Sequence, residues 1–280
     1  HLEAMKKLAK QGIENPRLDA EVLLAHRLDV DRSRILGMHR KEVDEQTRVG
    51  FEKDLARRLS HEPVAYIIGK KEFMGHDFIV SPDVLIPRPD TEILVEWVID
   101  WFKDKGPVSI VDVGTGSGAI AVSLAADLPQ ARVTAVDIDE KALAIARQNG
   151  KRILSDERWD RMTFVQSDCL QAFEEKARFD AVVSNPPYIR KEVLQNLPGT
   201  VRDFEPEKAL CGGEDGLHFY RRLIRESKIL LKDGGLLAFE IGYDQLEEVR
   251  DLLWDHGYCK LGSKDDLSGN HRVVYGVWNR

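Results

Sequence analysis

Cysteine is scarce in this chain: there are three in 280 residues, Cys169, Cys211 and Cys259, far apart and without Cys-x-x-Cys or Cys/His ligand spacing. That argues against a disulfide framework and against a zinc site, and no metal centre is expected. Long apolar runs are missing too. None approaches the ~20 residues of a membrane-spanning helix, and no signal peptide is visible. A reducing cytoplasm is the expected setting, although a start at His1 rather than Met leaves open a segment removed ahead of it. Positive charge is not in excess. The formal net charge of -7 argues against sequence-independent binding to a nucleic-acid backbone, which works through clustered Lys and Arg, while leaving local basic patches open.

What is present fits one large α/β domain with a small companion. Residues 1–60 read as helices alone, with apolar positions such as Leu2, Met5, Leu8 and then Val22, Leu23, Leu28 near helical spacing, and breaks at Gly12–Pro16 and around Gly37. No residue there carries obvious chemistry. From residue 61 to 84 the pattern shortens to strand-like pieces, Ala65–Ile68 and Asp77–Val80, separated by Gly69 and Gly75, which suggests a β-hairpin linker. The segment Ile86-Pro87-Arg88-Pro89-Asp90-Thr91-Glu92 is a stiff loop entering a helix, with Asp90 or Thr91 available to cap it. Ile93, Leu94, Trp97, Val98, Trp101 and Phe102 give that helix a core-facing stripe, in which the tryptophans are packing residues.

The remaining chain alternates strands and helices. Val108–Val113 reads as a buried strand, and Gly114-Thr115-Gly116-Ser117-Gly118 turns from it into a helix over Ala119–Ala126. Glycines at such a turn let the backbone approach a ligand, and the helix start presents free N–H groups. A second strand, Arg132–Val136, ends in Asp137, 23 residues after Gly114, where a carboxylate can accept both hydroxyls of a ribose. Together these features point to an adenosine-bearing cofactor, although the glycine loop alone also fits a relaxed dinucleotide fingerprint. After a third strand, Met162–Gln166, Asp168 beside Cys169 and Leu170 can accept from an adenine amino group or cap a helix over Leu170–Lys176. Three further strands are expected over Leu236–Ile241, Tyr258–Leu261 and Arg272–Trp278, the last antiparallel, with a helix from Leu217 ended by Gly234-Gly235. The long excursion over residues 189–214 is of a length that is usually functional.

One strand end stands apart. Phe179–Val183 is an apolar run, and Ser184 leads from it into Asn185-Pro186-Pro187-Tyr188. In an open α/β sheet, ligands bind beyond the carboxyl ends of the strands. Pro186 is constrained both by its own ring and by the proline after it, so its carbonyl direction is nearly fixed. The Asn185 side-chain oxygen and that carbonyl form a pair of acceptors suited to one planar NH2 group, with Tyr188 as a wall. The plain alternative is a strand-ending turn with a packed tyrosine.

With the glycine loop, Asp137 and Asn185-Pro186-Pro187-Tyr188 in place, the chain resembles the S-adenosylmethionine-dependent methyltransferases. More narrowly it resembles the bacterial release factor glutamine methyltransferase family. The likeness extends over Gly12–Glu21, Ile86–Glu92, Val111–Ile120, Ser184–Ile189, Phe204-Glu205-Pro206 and Gly212–Gly216. It implies a Rossmann-like, seven-stranded methyltransferase sheet over residues 85–280 and a small helical substrate-recognition domain over residues 1–60. It also implies that Gly114, Thr115, Gly116, Ser117 and Gly118 cradle S-adenosylmethionine, with Asp137 on the ribose and Asp168 and Cys169 near the adenine. Asn185, Pro186, Pro187 and Tyr188 form the catalytic stretch, Asn185 also bordering the cofactor. The implied partner is a peptide chain release factor, methylated on a glutamine side-chain amide, with no membrane and no direct nucleic-acid substrate. Cys169 departs from the family, many of whose members carry a larger residue there, which bears on the adenine pocket. Rival readings remain: a ribosomal-protein glutamine methyltransferase, an adenine-N6 methyltransferase needing a basic recognition region, a nicotinamide dehydrogenase for which no hydride-transfer residue is evident, and a noncatalytic binding module.

Overall fold

The computed structural model describes residues 2–37, 42–174 and 178–279. Contacts divide the chain into two units, His1–Lys70 with Leu197–Phe204, and Lys71–Asn196 with Glu205–Arg280.

The first unit is helical, with α1 (Leu2–Lys10), α2 (Pro16–Leu28), α3 (Arg32–Gly37), α4 (Glu45–Leu59) and α5 (Val64–Ile68). Pro16 sits at the start of α2, where its missing N–H costs nothing, and the Asp44 carboxylate caps α4 by accepting from Thr47 N at 2.8 Å. Ala4, Leu8, Ile13, Ala20 and Leu55 form a small core. Beside it the Arg58 guanidinium donates to Asp19 at 2.6 Å, and Arg27 grips the buried Asp54 with two bonds of 2.5 Å. Ala65–Ile68, expected as a strand, is instead the helix α5. Pro63 stands at its N-cap and Gly69 ends it in the left-handed region, so the local punctuation favours one helical turn over extension. The hairpin lies just beyond, as β1 (Lys70–Phe73) and β2 (His76–Ile79).

The second unit continues with α6 (Pro89–Phe102), β3 (Ser109–Val113), α7 (Ala119–Asp127), β4 (Arg132–Asp137), α8 (Glu140–Ile153), α9 (Asp156–Trp159), β5 (Met162–Gln166) and β6 (Phe179–Ser184). After the excursion, whose short helix α10 (Gly199–Arg202) belongs to the first unit, come α11 (His218–Leu230), β7 (Leu231–Glu240), α12 (Leu246–Asp255), β8 (Tyr258–Asp265) and β9 (His271–Trp278). Seven strands form one sheet in the order β5-β4-β3-β6-β7-β9-β8, in which β9 runs antiparallel to both of its neighbours. The α11 helix stops earlier than its glycines suggested, because Leu231 already pairs with Phe179 of β6.

Strand alternation divides the core between two faces. Ile110, Ala181, Val183, Leu236 and Ala238 pack with α6 and α7, while Val111, Val113, Val182, Leu237 and Phe239 pack with α11 and α12. Trp97 and Trp101 stack with Tyr275 against the first of these layers, as packing residues. The consequence for function is the carboxyl edge. The sheet order places the residues after β5, β4, β3 and β6 side by side, so Asp168, Asp137, Gly114 and Asn185 come in that sequence along one rim.

Candidate active site

That rim borders a cavity of about 280 Å³. Of the residues singled out in the sequence, Gly114, Gly116, Asp137, Asp168, Cys169, Asn185, Pro186 and Pro187 line it. Thr115, Ser117, Gly118 and Tyr188 are not among its lining residues. Thr115 Oγ1 donates to Asp112 at 2.6 Å, the Ser117 carbonyl accepts from Asn149 Nδ2 at 2.8 Å, and Gly118 starts α7. A Cβ on Gly118 would meet Ala146 at 3.0 Å, so this glycine serves helix packing.

The glycine loop is held from below by Asp112, an acid inside a buried strand. Its Oδ2 accepts from both Thr115 and Ala121 N, and burial pushes its carboxyl up to about 7. Asp137 closes the loop from the side, Oδ2 accepting from Gly116 N at 2.9 Å and Oδ1 from Asp139 N at 3.0 Å; burial raises its pKa. At the other end of the rim, Arg222 donates to the Asp168 carboxylate at 2.6 Å and to the Asp168 carbonyl at 3.0 Å, and it also binds Glu226. Asp168 is therefore an ion-paired residue. Among the described residues it caps no helix: residues 169–172 form turns, and residues 175 and 176 of the expected Leu170–Lys176 helix lie outside the described residues. Cys169 is buried with a left-handed φ of 51°, and burial pushes its thiol up to about 12, so it is a packing group.

A roof comes from the excursion. Glu205 is buried, donated to by Arg88 at 2.5 Å and by Ile86 N at 3.3 Å, and it sets Pro206, Lys208 and Ala209 against the cavity. Lys208 in turn pairs with Asp139.

Around Asn185 the hydrogen bonds are directional. Ser184 Oγ donates to the Val113 carbonyl at 2.6 Å, tying the ends of β6 and β3 together. Asn185 Nδ2 donates to Thr91 Oγ1 at 3.1 Å, and Thr91 Oγ1 donates to Glu240 Oε2 at 2.5 Å. Thr91 thus faces inward to Glu240 and does not cap α6, a place taken by Arg88 with Pro89 as the first helical residue. Tyr188 Oη reaches Glu240 Oε1 at 3.5 Å, and Gln245 Nε2 holds the Tyr188 carbonyl at 3.2 Å. Among the described residues no donor is bonded to Asn185 Oδ1 or to the Pro186 carbonyl. Among the described residues both acceptors that the sequence offered are free.

Residues 2–69 match the PrmC N-terminal domain family, and residues 90–198 match the methyltransferase small domain family. The chain is 40% identical over 274 residues to the release factor glutamine methyltransferase of Clostridium botulinum, covering 98% of this chain and 96% of that protein. It is 45% identical over 251 residues to that of Moorella thermoacetica, covering 89% and 87%. The chain belongs to the release factor glutamine methyltransferase family. A methyltransferase from Pyrococcus furiosus shares the fold, with a TM-score of 0.54 and 20% identity over 82% of this chain and all 100% of that one. The enzymes of this family use S-adenosylmethionine, and the residues present suit it. Gly114 and Gly116 have positive φ with nothing within 4 Å of where a Cβ would stand, which leaves the loop backbone open to a ligand. Each Asp137 oxygen is bonded once to backbone and keeps lone pairs for hydroxyl donors. Leu85, Ile138 and Phe219 supply an apolar lining.

Sequence reasoning missed Glu240, Arg222 and Asp112, and gave Thr91 a capping role. The signal for Glu240 was available, as an acid closing the apolar run Leu236–Phe239.

Proposed function

We propose that this protein methylates the side-chain amide nitrogen of the glutamine in the Gly-Gly-Gln motif of peptide chain release factors, a modification that acts on translation termination in the cytoplasm. The observation that carries this reading is Asn185, whose nitrogen is tied to Thr91 while its oxygen stands unbonded beside the cavity. Gly114, Gly116 and the backbone of the loop they belong to would hold the cofactor, with Asp137 at its ribose and the Asp168–Cys169 turn at its adenine. S-adenosylmethionine supplies a methyl group already activated on a sulfonium.

The chain's own task is to make an amide nitrogen attack. Its lone pair is delocalised into the neighbouring carbonyl, so the nitrogen is a poor nucleophile. Asn185 Oδ1 and the Pro186 carbonyl hold the two N–H groups, and these bonds strengthen as positive charge develops on nitrogen. One of the two protons then leaves to water, giving a neutral secondary amide. Tyr188 supports the plane from behind, and the Pro186-Pro187 backbone keeps the acceptors from turning away. Orientation of this kind is worth about 7 to 11 kcal/mol of barrier. Residues 1–60 would recognise the folded release factor, a role supported by their match to a family-specific N-terminal domain and by the lack of chemistry in them.

Labelled S-adenosylmethionine offered with release factor, ribosomal protein and DNA in separate reactions tests the reading. Label on the release factor glutamine is expected. Label on a ribosomal glutamine or an adenine, with the release factor untouched, would overturn it.

A further inference from the structure

The hydrogen bonds behind Asn185 run in one direction, and their origin is a carboxylate. Glu240 ends β7 with 2% of its surface exposed. An ionised carboxylate only accepts, so Thr91, 2.5 Å away, must spend its single hydroxyl hydrogen on Glu240. What Thr91 then offers to Asn185 is a lone pair. The nitrogen end of the amide takes it, at 3.1 Å, and the oxygen end is left for the site.

An asparagine amide has nearly the same shape when turned over, so packing alone does not decide which end faces the cavity. Turned over, Asn185 would present two donors where a glutamine NH2 brings donors of its own. Such a site would repel the amide and suit a carboxylate. We propose that Glu240 and Thr91 are positioning residues that set the polarity of Asn185, and that through it they make the site select glutamine over glutamate. This rests on the reading of Asn185 as acceptor for a glutamine amide.

The groups around Glu240 make that polarity dependent on pH. Tyr188 Oη faces its other oxygen at 3.5 Å, the Asn185 amide also bonds the carboxylate directly and so favours its charged form, and Asp90 of α6 and Arg272 of β9, themselves paired at 3.2 Å, oppose each other in their effect on it. Tyr220 Oη bonds the Glu240 carbonyl and leaves the carboxyl alone. Burial dominates and pushes the carboxyl up to about 7. Once protonated, Glu240 can donate to Thr91, whose hydrogen is then free for Asn185 Oδ1, and the amide reverses.

The test uses the full chain with Thr91→Val, Thr91→Ser and Glu240→Gln, release factor as substrate, and a pair of peptides ending the motif in glutamine or glutamate. Thr91→Val should lower kcat by about 10- to 100-fold, less than loss of a direct contact. Its affinity for S-adenosylmethionine, read by calorimetry, should stay within about twofold, and the preference for the glutamine peptide should shrink by at least about tenfold. Thr91→Ser, which keeps the hydroxyl, should restore all three. In the wild type kcat should fall as pH drops through about 7, and Glu240→Gln should flatten that limb while lowering the rate at pH above it. Unchanged peptide preference in Thr91→Val, or a Glu240→Gln profile that superimposes on the wild type, would overturn the proposal. If Thr91→Val does not fold, the Glu240→Gln profile and peptide preference decide it. A wild type that fails to methylate glutamine at all would instead sink the functional reading beneath it.

Discussion

At the scale of single residues, the proposed mechanism depends on one acceptor atom. Asn185→Ala removes Oδ1 without touching the loop that carries Gly114 and Gly116, so turnover should fall about 100- to 1000-fold while affinity for S-adenosylmethionine holds. Single-turnover assays on preloaded enzyme separate these effects; more than about a tenth of wild-type rate would be too much for an essential contact. Asp137→Ala has the opposite signature. Two hydroxyl contacts to a carboxylate are worth about 1.5 to 3 kcal/mol, so calorimetry should show weaker cofactor binding, and an unchanged Kd would remove Asp137 from the site. The place of Asp137 and Asn185 at the cavity rim was legible in the sequence because each closes an apolar strand with a polar side chain. Thr91 and Glu240 were not paired there for a physical reason. They lie 149 positions apart, and only the β6–β7–β9 packing beneath α6 brings them together. Periodicity reports which face of an element is buried, and carries no information on which buried polar groups meet.

Elements were read more surely than their joints. All seven strands of the sheet were expected, five of them within a residue of their observed bounds, while β7 begins at Leu231 and stops at Glu240 instead of spanning Leu236–Ile241, and β8 runs on from Leu261 to Asp265. Other differences are at turns: one helical turn at Val64–Ile68 instead of a strand, and α11 ending at Leu230. Both are places where a short apolar stretch satisfies helix and strand alike, so tertiary pairing decides. The excursion after Tyr188 shows what a joint can do. Ile189 bridges to Cys211, and Gly212 lies so close to the Asn185–Tyr188 stretch that a Cβ would stand 2.7 Å from Tyr188 Cα and 2.8 Å from the Pro187 carbonyl. Gly212→Ala must therefore push the returning segment away from the prolines, an overpacking worth about 1 to 3 kcal/mol. We expect a lower kcat with cofactor affinity kept, since the glycine loop proposed to hold the cofactor belongs to other elements. A normal kcat in a folded Gly212→Ala protein would show that the excursion does not hold the acceptors. In the helical unit, Leu18 is 42% exposed on α2. Leu18→Asp should raise KM for intact release factor and leave KM for a short Gly-Gly-Gln peptide unchanged; equal effects on both would count against a recognition role for that surface.

For the whole molecule, stability and charge are linked through two buried acids. Asp112 and Glu240 both have carboxyls raised by burial from ordinary values of 3.8 and 4.5 to about 7. A raised folded-state pKa means that the native protein holds its proton more tightly than the unfolded chain. The corresponding stability is fully present below about pH 4 and is lost as pH rises through about 7. At 1.36 kcal/mol per unit, the loss is on the order of 4 kcal/mol for Asp112 and 3 kcal/mol for Glu240. Asp215 and Asp266, held down to about 2 by Arg221 and by the Asn270 turn, act in reverse, since their contribution is present above the ordinary carboxylate range and disappears in strong acid. The chain should therefore be most stable in acidic solution near pH 4, with Tm declining between about pH 4 and 7. Asp112→Asn imitates the protonated acid: its oxygen can still accept from Thr115 and Ala121 N, and its NH2 takes the place of an oxygen that has no partner among the described residues. It should flatten the decline of Tm with pH and raise Tm at pH 8 relative to wild type, as followed by thermal denaturation in matched buffers. Parallel curves for wild type and Asp112→Asn would mean that Asp112 is charged or neutral alike in both states, and the pH dependence would have to be sought elsewhere.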